Sequence, residues 1–168
     1  PVPPQYISQM VEVAKRSPVP IACGEDYYSP QQFSELLSHD AVHIIQLEPQ
    51  YLGITASKQV CGMVHAHNGV TAPHSAQGPL CSLVCAHLNT ATPNFFIHEI
   101  FDDFNDDWSR IILTNPVTVK DGYLELEEDR IGWGADLNYE EIAKHPYNPN
   151  NYLPLFRSGW EKRQTVAN

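Results

Sequence analysis

The chain has 168 residues, 42% hydrophobic and 18% charged, a composition that carries one sizeable core and excludes a disordered polymer. Its formal net charge of −10, with Lys+Arg at only 10, excludes the basic footprint that phosphate-backbone binding requires, so no nucleic-acid partner is expected. No apolar run approaches the ~20 residues of a membrane helix, so no membrane partner is expected either, and an acidic protein that handles an anion needs a local positive charge such as a bound divalent cation.

In chain order, Pro4 to Ser17 carries Ile7, Met10, Val11 and Ala14 on one helical face. Pro20-Ile21-Ala22-Cys23-Gly24 then reads as a short strand ending at Glu25. Ser29-Pro30 caps and opens a helix holding Phe33, Leu36 and Leu37. His43-Ile44-Ile45-Gln46-Leu47 is a second strand, followed by Glu48 and a helix over Thr55 to Asn68. Val70-Thr71-Ala72-Pro73 is a third strand, weakened by its proline, with His74 next. A helix over Gly78 to Leu88 follows, with Leu80, Val84 and Leu88 at spacing four, and Asn94-Phe95-Phe96-Ile97-His98 is a fourth strand before Glu99. The order is αβαβαβαβ, and the first, second and fourth strands are nearly uniformly apolar, as strands of a parallel sheet buried on both faces are.

An ionisable residue therefore follows every strand. Glu25, Glu48, His74 and Glu99 recur roughly every 25 residues, the length of one βα unit, which places them on one rim; in a (β/α)8 barrel that rim is where active sites are built. Singly, each reads better as a helix cap or a solvated loop residue. Four in phase point to a shared site.

Beyond Glu99, Asp102-Asp103 and Asp106-Asp107 read as a solvated acidic loop, and Trp108 to Leu113 as helix-like. Val117 to Leu126 reads as a hairpin turning at Asp121-Gly122 in a type I′ turn. Gly132-Trp133-Gly134 is a loop, Asn138 caps a short helix from Tyr139 to Lys144, and the tail from His145 is expected to be extended. The four cysteines (Cys23, Cys61, Cys81, Cys85) sit in apolar surroundings with no C-x-x-C pair, which predicts reduced core thiols and a cytoplasmic location. Cys81 and Cys85 lie a turn apart without a second pair to complete a zinc site. His65 and His67, two apart on a helix, face different ways and are not a metal pair. His98 precedes Glu99 and points away from it, into packing or onto the rim. His39, His43, His87 and His145 carry no chemical argument.

Several segments together resemble the C-terminal portion of the mandelate racemase-like branch of the enolase superfamily, in particular its sugar-acid dehydratases such as galactonate and gluconate dehydratase. They are Pro20 to Glu25, Ile44 to Glu48 leading to Gly53-Ile54-Thr55, Ala72-Pro73-His74, Thr92-Pro93-Asn94 running into Glu99, Asp121-Gly122, Gly132 to Leu137, and Tyr152 to Leu155. The resemblance implies an α/β fold: the C-terminal half of a (β/α)8 TIM-type barrel, about four βα units over residues 1–113. Residues 114–168 would form a hairpin, short helix and extended tail packing on an N-terminal capping domain that would precede Pro1, together with the first strands, two further metal ligands and a strand-two base.

By the same resemblance, Glu25 is a Mg²⁺ ligand, His74 the general acid or base, Glu48 the partner that orients His74, and Glu99 a neighbour of the substrate carboxylate. The implied reaction is dehydration of a sugar acid through α-proton abstraction and an enediolate. Racemisation or epimerisation by the same chemistry is the alternative within enzymes, and a non-catalytic half-barrel the alternative outside them. The chain departs from the family in carrying Glu48 where an aspartate is usual, a single Gly53 where a Gly-Gly pair is common, and Ile131-Gly132-Trp133-Gly134 where Pro-Gly-x-Gly is found. An open half-barrel exposes edges and apolar surface, so the chain alone is expected to be inactive and to need the other half or self-association as a homo-oligomer.

Overall fold

The computed structural model describes residues 2–149 and Ser158. Tyr152-Leu153-Pro154-Leu155 and most of the expected tail lie outside the described residues. Helix α1 spans Ile7–Arg16, β1 Ala22–Cys23, α2 Pro30–Ser38, β2 Ile44–Ile45 and α3 Pro49–Ala66. They are followed by β3 Val70–Thr71, β4 His74–Ser75, α4 Pro79–Thr90, β5 Glu99–Ile100, two 3-10 turns (Asp102–Phe104 and Asp107–Ile112), and α5 Tyr139–Ile142. The strands are parallel in the order β1-β2-β3, with β4 paired to β5. None of the described helices is long and apolar enough to cross a membrane.

Alternation of strand and helix holds, with one correction: the third strand is two. Pro73 has no N–H to give to the ladder, so the run breaks into β3 and β4. The neighbouring bonds continue on either side of it, from the Ala72 amide to the Ile45 carbonyl and from the His74 amide to the Leu47 carbonyl, both at 2.9 Å. The fourth strand also begins later than expected, at Glu99. Residues 94–98 touch the sheet mainly through Thr71, whose amide donates to the Asn94 carbonyl and whose carbonyl accepts from the Phe96 amide. Phe96 and Ile97 are 63% and 58% exposed, which corrects the expectation of a strand buried on both faces and leaves an apolar edge at this side of the sheet.

The helices show why the sequence folds as it does. Ser29 sits in extended backbone and its hydroxyl accepts from the Gln32 amide, capping α2, while Pro30 presets the first turn. Phe33, Leu36 and Leu37 of α2 then pack with Ile45, Leu47, Val60 and Val64 to form the core under the sheet. Helix α3 starts at Pro49 rather than at Thr55, and Gly53, at φ 73°, supplies the non-helical kink that joins its two pieces. In α4 the buried face includes Leu83, Cys85, Ala86 and Asn89 along with Leu88, whereas Leu80 is exposed; the spacing-four stripe picked only one edge of it.

Past β5 two further expectations change. Asp102, placed in a solvated loop by its acidic neighbours, is only 8% exposed. The hairpin shrinks to a single Lys120–Tyr123 bridge, although Asp121 (φ 51°) and Gly122 (φ 83°) have the two positive φ values of a type I′ turn. Asn138 caps α5 by accepting from the Glu141 amide, and His145 stacks on Trp108 with ring centroids 3.7 Å apart.

Candidate acid–base site

Glu25 and Glu48 lie just past β1 and β2, whereas His74 and Glu99 open β4 and β5, and parallel pairing fixes neighbouring residues in register. Ala22 pairs with Ile44, and His74 pairs with Glu99. The step from β1 into Glu25 is made by Gly24, whose φ of 147° and whose approach to the backbone of Gln46 leave no room for a Cβ: one built there would lie 2.9 Å from the Gln46 carbonyl oxygen.

The four residues picked out by phase come together around His74. Its Nδ1 lies 2.7 Å from Glu48 Oε2 and its Nε2 lies 3.4 Å from Glu25 Oε2. Glu99 accepts a hydrogen bond from the Gln46 amide side chain. The environments differ sharply: the Glu48 side chain is 0% exposed, that of His74 16%, and that of Glu25 50%. Glu48 also caps α3, accepting from the Gln50 amide at 2.9 Å through Oε1, so the helix-cap reading and the site reading are both true of it.

Two side chains that charge-based reading passes over complete the setting of Glu48. Gln77 donates to Oε2 at 2.8 Å, and the Cys81 thiol donates to Oε1 at 3.7 Å. Burial pushes the Glu48 carboxyl up, but hydrogen bonds from His74, the Gln50 amide and Gln77 outweigh it and hold the group below its ordinary value. The hydrogen bond to Glu48 raises His74, opposed by burial and helped by the charge of Glu25. The buried carboxylate thus stays ionised and fixes Nδ1 as a donor, which leaves Nε2 on the side of Glu25. Gln46, Gln77 and Cys81 carry no charge, and their contacts to Glu99 and Glu48 span 53, 29 and 33 residues of chain, so no local pattern announces them.

The other expected features fall elsewhere. His98 is largely buried with neither ring nitrogen bonded among the described residues, and burial lowers it to about 4. All four cysteines are free thiols. Among the described residues no group of three or more His, Cys, Asp or Glu side chains is arranged to hold a metal ion. Glu25 by itself fits such an ion: it is half-exposed, offers hard oxygen, and pairs with no Lys or Arg among the described residues.

Parallel strands flanked by helices, with a histidine held between two carboxylates on one rim, define a partial (β/α) barrel. Residues 1–142 match the enolase C-terminal domain-like family, and the chain belongs to it. It is 29% identical over 160 residues to a D-galactonate dehydratase family member of Oceanicola granulosus, covering 94% of this chain and 38% of that protein. It is 25% identical to a D-gluconate/D-galactonate dehydratase of Picrophilus torridus, over 75% of this chain and 32% of that one. Among solved structures, a mandelate racemase/muconate lactonizing enzyme from Jannaschia sp. superposes with a TM-score of 0.81 at 26% identity, over 89% of this chain and 38% of the other. A magnesium- and fumarate-bound structure from Burkholderia xenovorans does so at 0.80 and 28%, over 85% and 35%. The chain spans less than two-fifths of the length of each of these relatives.

Proposed function

We propose that this chain supplies the acid–base rim of a Mg²⁺-dependent dehydratase that acts on a sugar acid, working with barrel strands and a capping domain of the kind its longer relatives have room for. The observation that carries the reading is His74, held at Nδ1 by the fully buried Glu48 while its Nε2 lies 3.4 Å from the half-exposed Glu25.

In this reading His74 is the general acid. After the α-proton has left the substrate, Nε2–H gives its proton to the β-hydroxyl as the C–O bond breaks, water departs, and the enol that remains rearranges to a 2-keto acid. Glu48 stabilises the imidazolium before transfer and keeps the same ring face forward after it; a group titrating near the working pH suits the step. Gln46 holds Glu99 beside His74 on the neighbouring strand, where it would meet the polar end of the substrate. Glu25 would be one oxygen ligand of Mg²⁺, the other ligands lying outside the described residues. When bound, the ion supplies positive charge to offset what builds up on the substrate carboxylate as the α-proton leaves.

Racemisation or epimerisation is the second reading, favoured by the likeness to a mandelate racemase/muconate lactonizing enzyme, because a histidine–carboxylate pair can equally return a proton to carbon. One experiment separates them: express the longest polypeptide the gene encodes and incubate it with a panel of sugar acids in Mg²⁺ or chelator. Metal-dependent keto-acid formation supports the dehydratase. Exchange of the α-proton for solvent deuterium without keto acid favours the racemase or epimerase, and neither product nor exchange overturns both.

A further inference from the structure

The loop between β4 and α4 carries a side chain that neither strand phase nor charge explains. Gln77 is an exposed residue, yet its amide is folded back and held at both ends. Its Oε1 accepts from the Ala76 backbone amide at 3.0 Å, and its Nε2 donates to Glu48 Oε2 at 2.8 Å. Because Ala76 can only donate, the amide cannot flip without losing that bond, so the NH₂ end is obliged to face Glu48. Gly78, at φ 123°, follows immediately and turns the chain into α4.

Glu48 Oε2 is also the oxygen that meets His74 Nδ1, at 2.7 Å. Oε1 is occupied by the Gln50 amide and the Cys81 thiol. A carboxylate with both oxygens engaged by donors from three segments has one orientation, and its plane sets the plane of the imidazole hydrogen-bonded to it. Without Gln77, Oε2 would keep His74 alone, and the solvent side of the carboxylate would be open to water.

We propose that Gln77 is a positioning residue for the Glu48–His74 pair: it locks the Glu48 carboxylate in the rotamer that directs His74 Nε2 onto the rim. The inference rests on the functional reading above but is tested apart from it. The variant is Gln77→Met, close in volume and without a donor, made in the full-length protein and again in a Glu48→Gln background. The spectroscopic readout is the ¹H–¹⁵N signal of the His74 ring, whose Nδ1 proton reports the bond to Glu48. In Gln77→Met this signal is expected to shift, and kcat on the active sugar acid to fall about 10-fold to 100-fold, the range seen when a supporting hydrogen bond is lost, with KM changed less than about twofold. In the Glu48→Gln background the same replacement is expected to leave the ring signal where Glu48→Gln alone puts it. An unmoved His74 signal in Gln77→Met with unchanged circular dichroism overturns the proposal, as does an equal further shift in both backgrounds. Should the unaltered protein act on no sugar acid, the dehydratase reading fails, and the ring signal still decides for or against Gln77.

Discussion

His74, which opens β4, and Glu48, just past β2 and 26 residues away in the chain, meet at 2.7 Å between Nδ1 and Oε2, with the carboxylate fully buried. A buried carboxylate is costly unless its oxygens are filled with donors, and here they are: His74, Gln77, the Gln50 amide and Cys81. The buried partner therefore fixes the orientation of the ring, and the other ring nitrogen lies 3.4 Å from Glu25.

His74→Asn removes the proton carrier while the shorter amide can still reach toward Glu48, so the fold is retained and catalysis is not. Loss of a general acid lowers turnover by about 10²-fold to 10⁴-fold. Steady-state kinetics on the best sugar acid, with circular dichroism as a control, checks it; turnover within threefold of the unaltered protein would remove His74 from the chemistry.

Much of this arrangement was legible in the chain because a parallel βα repeat converts a spacing into a place. One ionisable group per unit put Glu25, Glu48, His74 and Glu99 on one rim, and Ser29-Pro30 with Phe33, Leu36 and Leu37 announced a capped helix with a buried stripe. What stayed hidden depends on contacts between distant segments. Gln46 and Gln77 look like ordinary polar residues until the fold brings them to Glu99 and Glu48. Pro73 looked like a weak point within one strand and proved to divide two, since only the three-dimensional ladder shows which amide it lacks. Asp102 was assigned to solvent by the company of Asp103 and Asp106, whereas packing buries it alone among them.

His98 makes stability depend on mild acid. Burial lowers it to about 4 from 6.5, with the charge of Glu48 acting weakly the other way. Its folded value lies below its unfolded value, so as pH falls the unfolded chain takes the proton first. Stability is full above 6.5, declines by about 1.4 kcal/mol per pH unit toward 4, and levels off below, a total on the order of 3 kcal/mol. Glu48 acts in a separate window: its lowered carboxyl contributes stability above the ordinary carboxylate range that is lost only as pH falls through its still lower folded value. Urea unfolding at pH 7 and pH 5 checks this. His98→Leu should lose about 2 kcal/mol less than the unaltered chain between the two, and parallel losses would show that another group sets the acid sensitivity.

Gly24→Ala tests the backbone step that delivers Glu25. The added Cβ would meet the Gln46 carbonyl oxygen at 2.9 Å in a φ region that L side chains rarely adopt, and that neighbour is backbone just past the adjacent strand. A cost of about 1–3 kcal/mol is expected. Gly122→Ala, also at positive φ but with open space around it, should cost about 1 kcal/mol. Thermal unfolding of the two variants side by side separates close approach from dihedral preference alone; equal shifts in Tm would mean that the β1–β2 contact yields without resistance.

Glu25→Gln keeps the size of the side chain and removes its charge, so a divalent ion loses one anionic oxygen while the Glu48–His74 contact on the other ring nitrogen is left in place. Mg²⁺ titrated calorimetrically into the full-length protein should bind at least tenfold more weakly in the variant, since an uncharged amide oxygen is a poorer ligand for a hard ion. The His74 ring should still be held at Nδ1, readable in its NMR signal. Chelator should abolish turnover of the unaltered protein and excess Mg²⁺ restore it. Unchanged Mg²⁺ affinity in Glu25→Gln would mean that the carboxylate beside Nε2 serves His74 alone, and that the positive charge an anionic substrate needs comes from elsewhere on the rim.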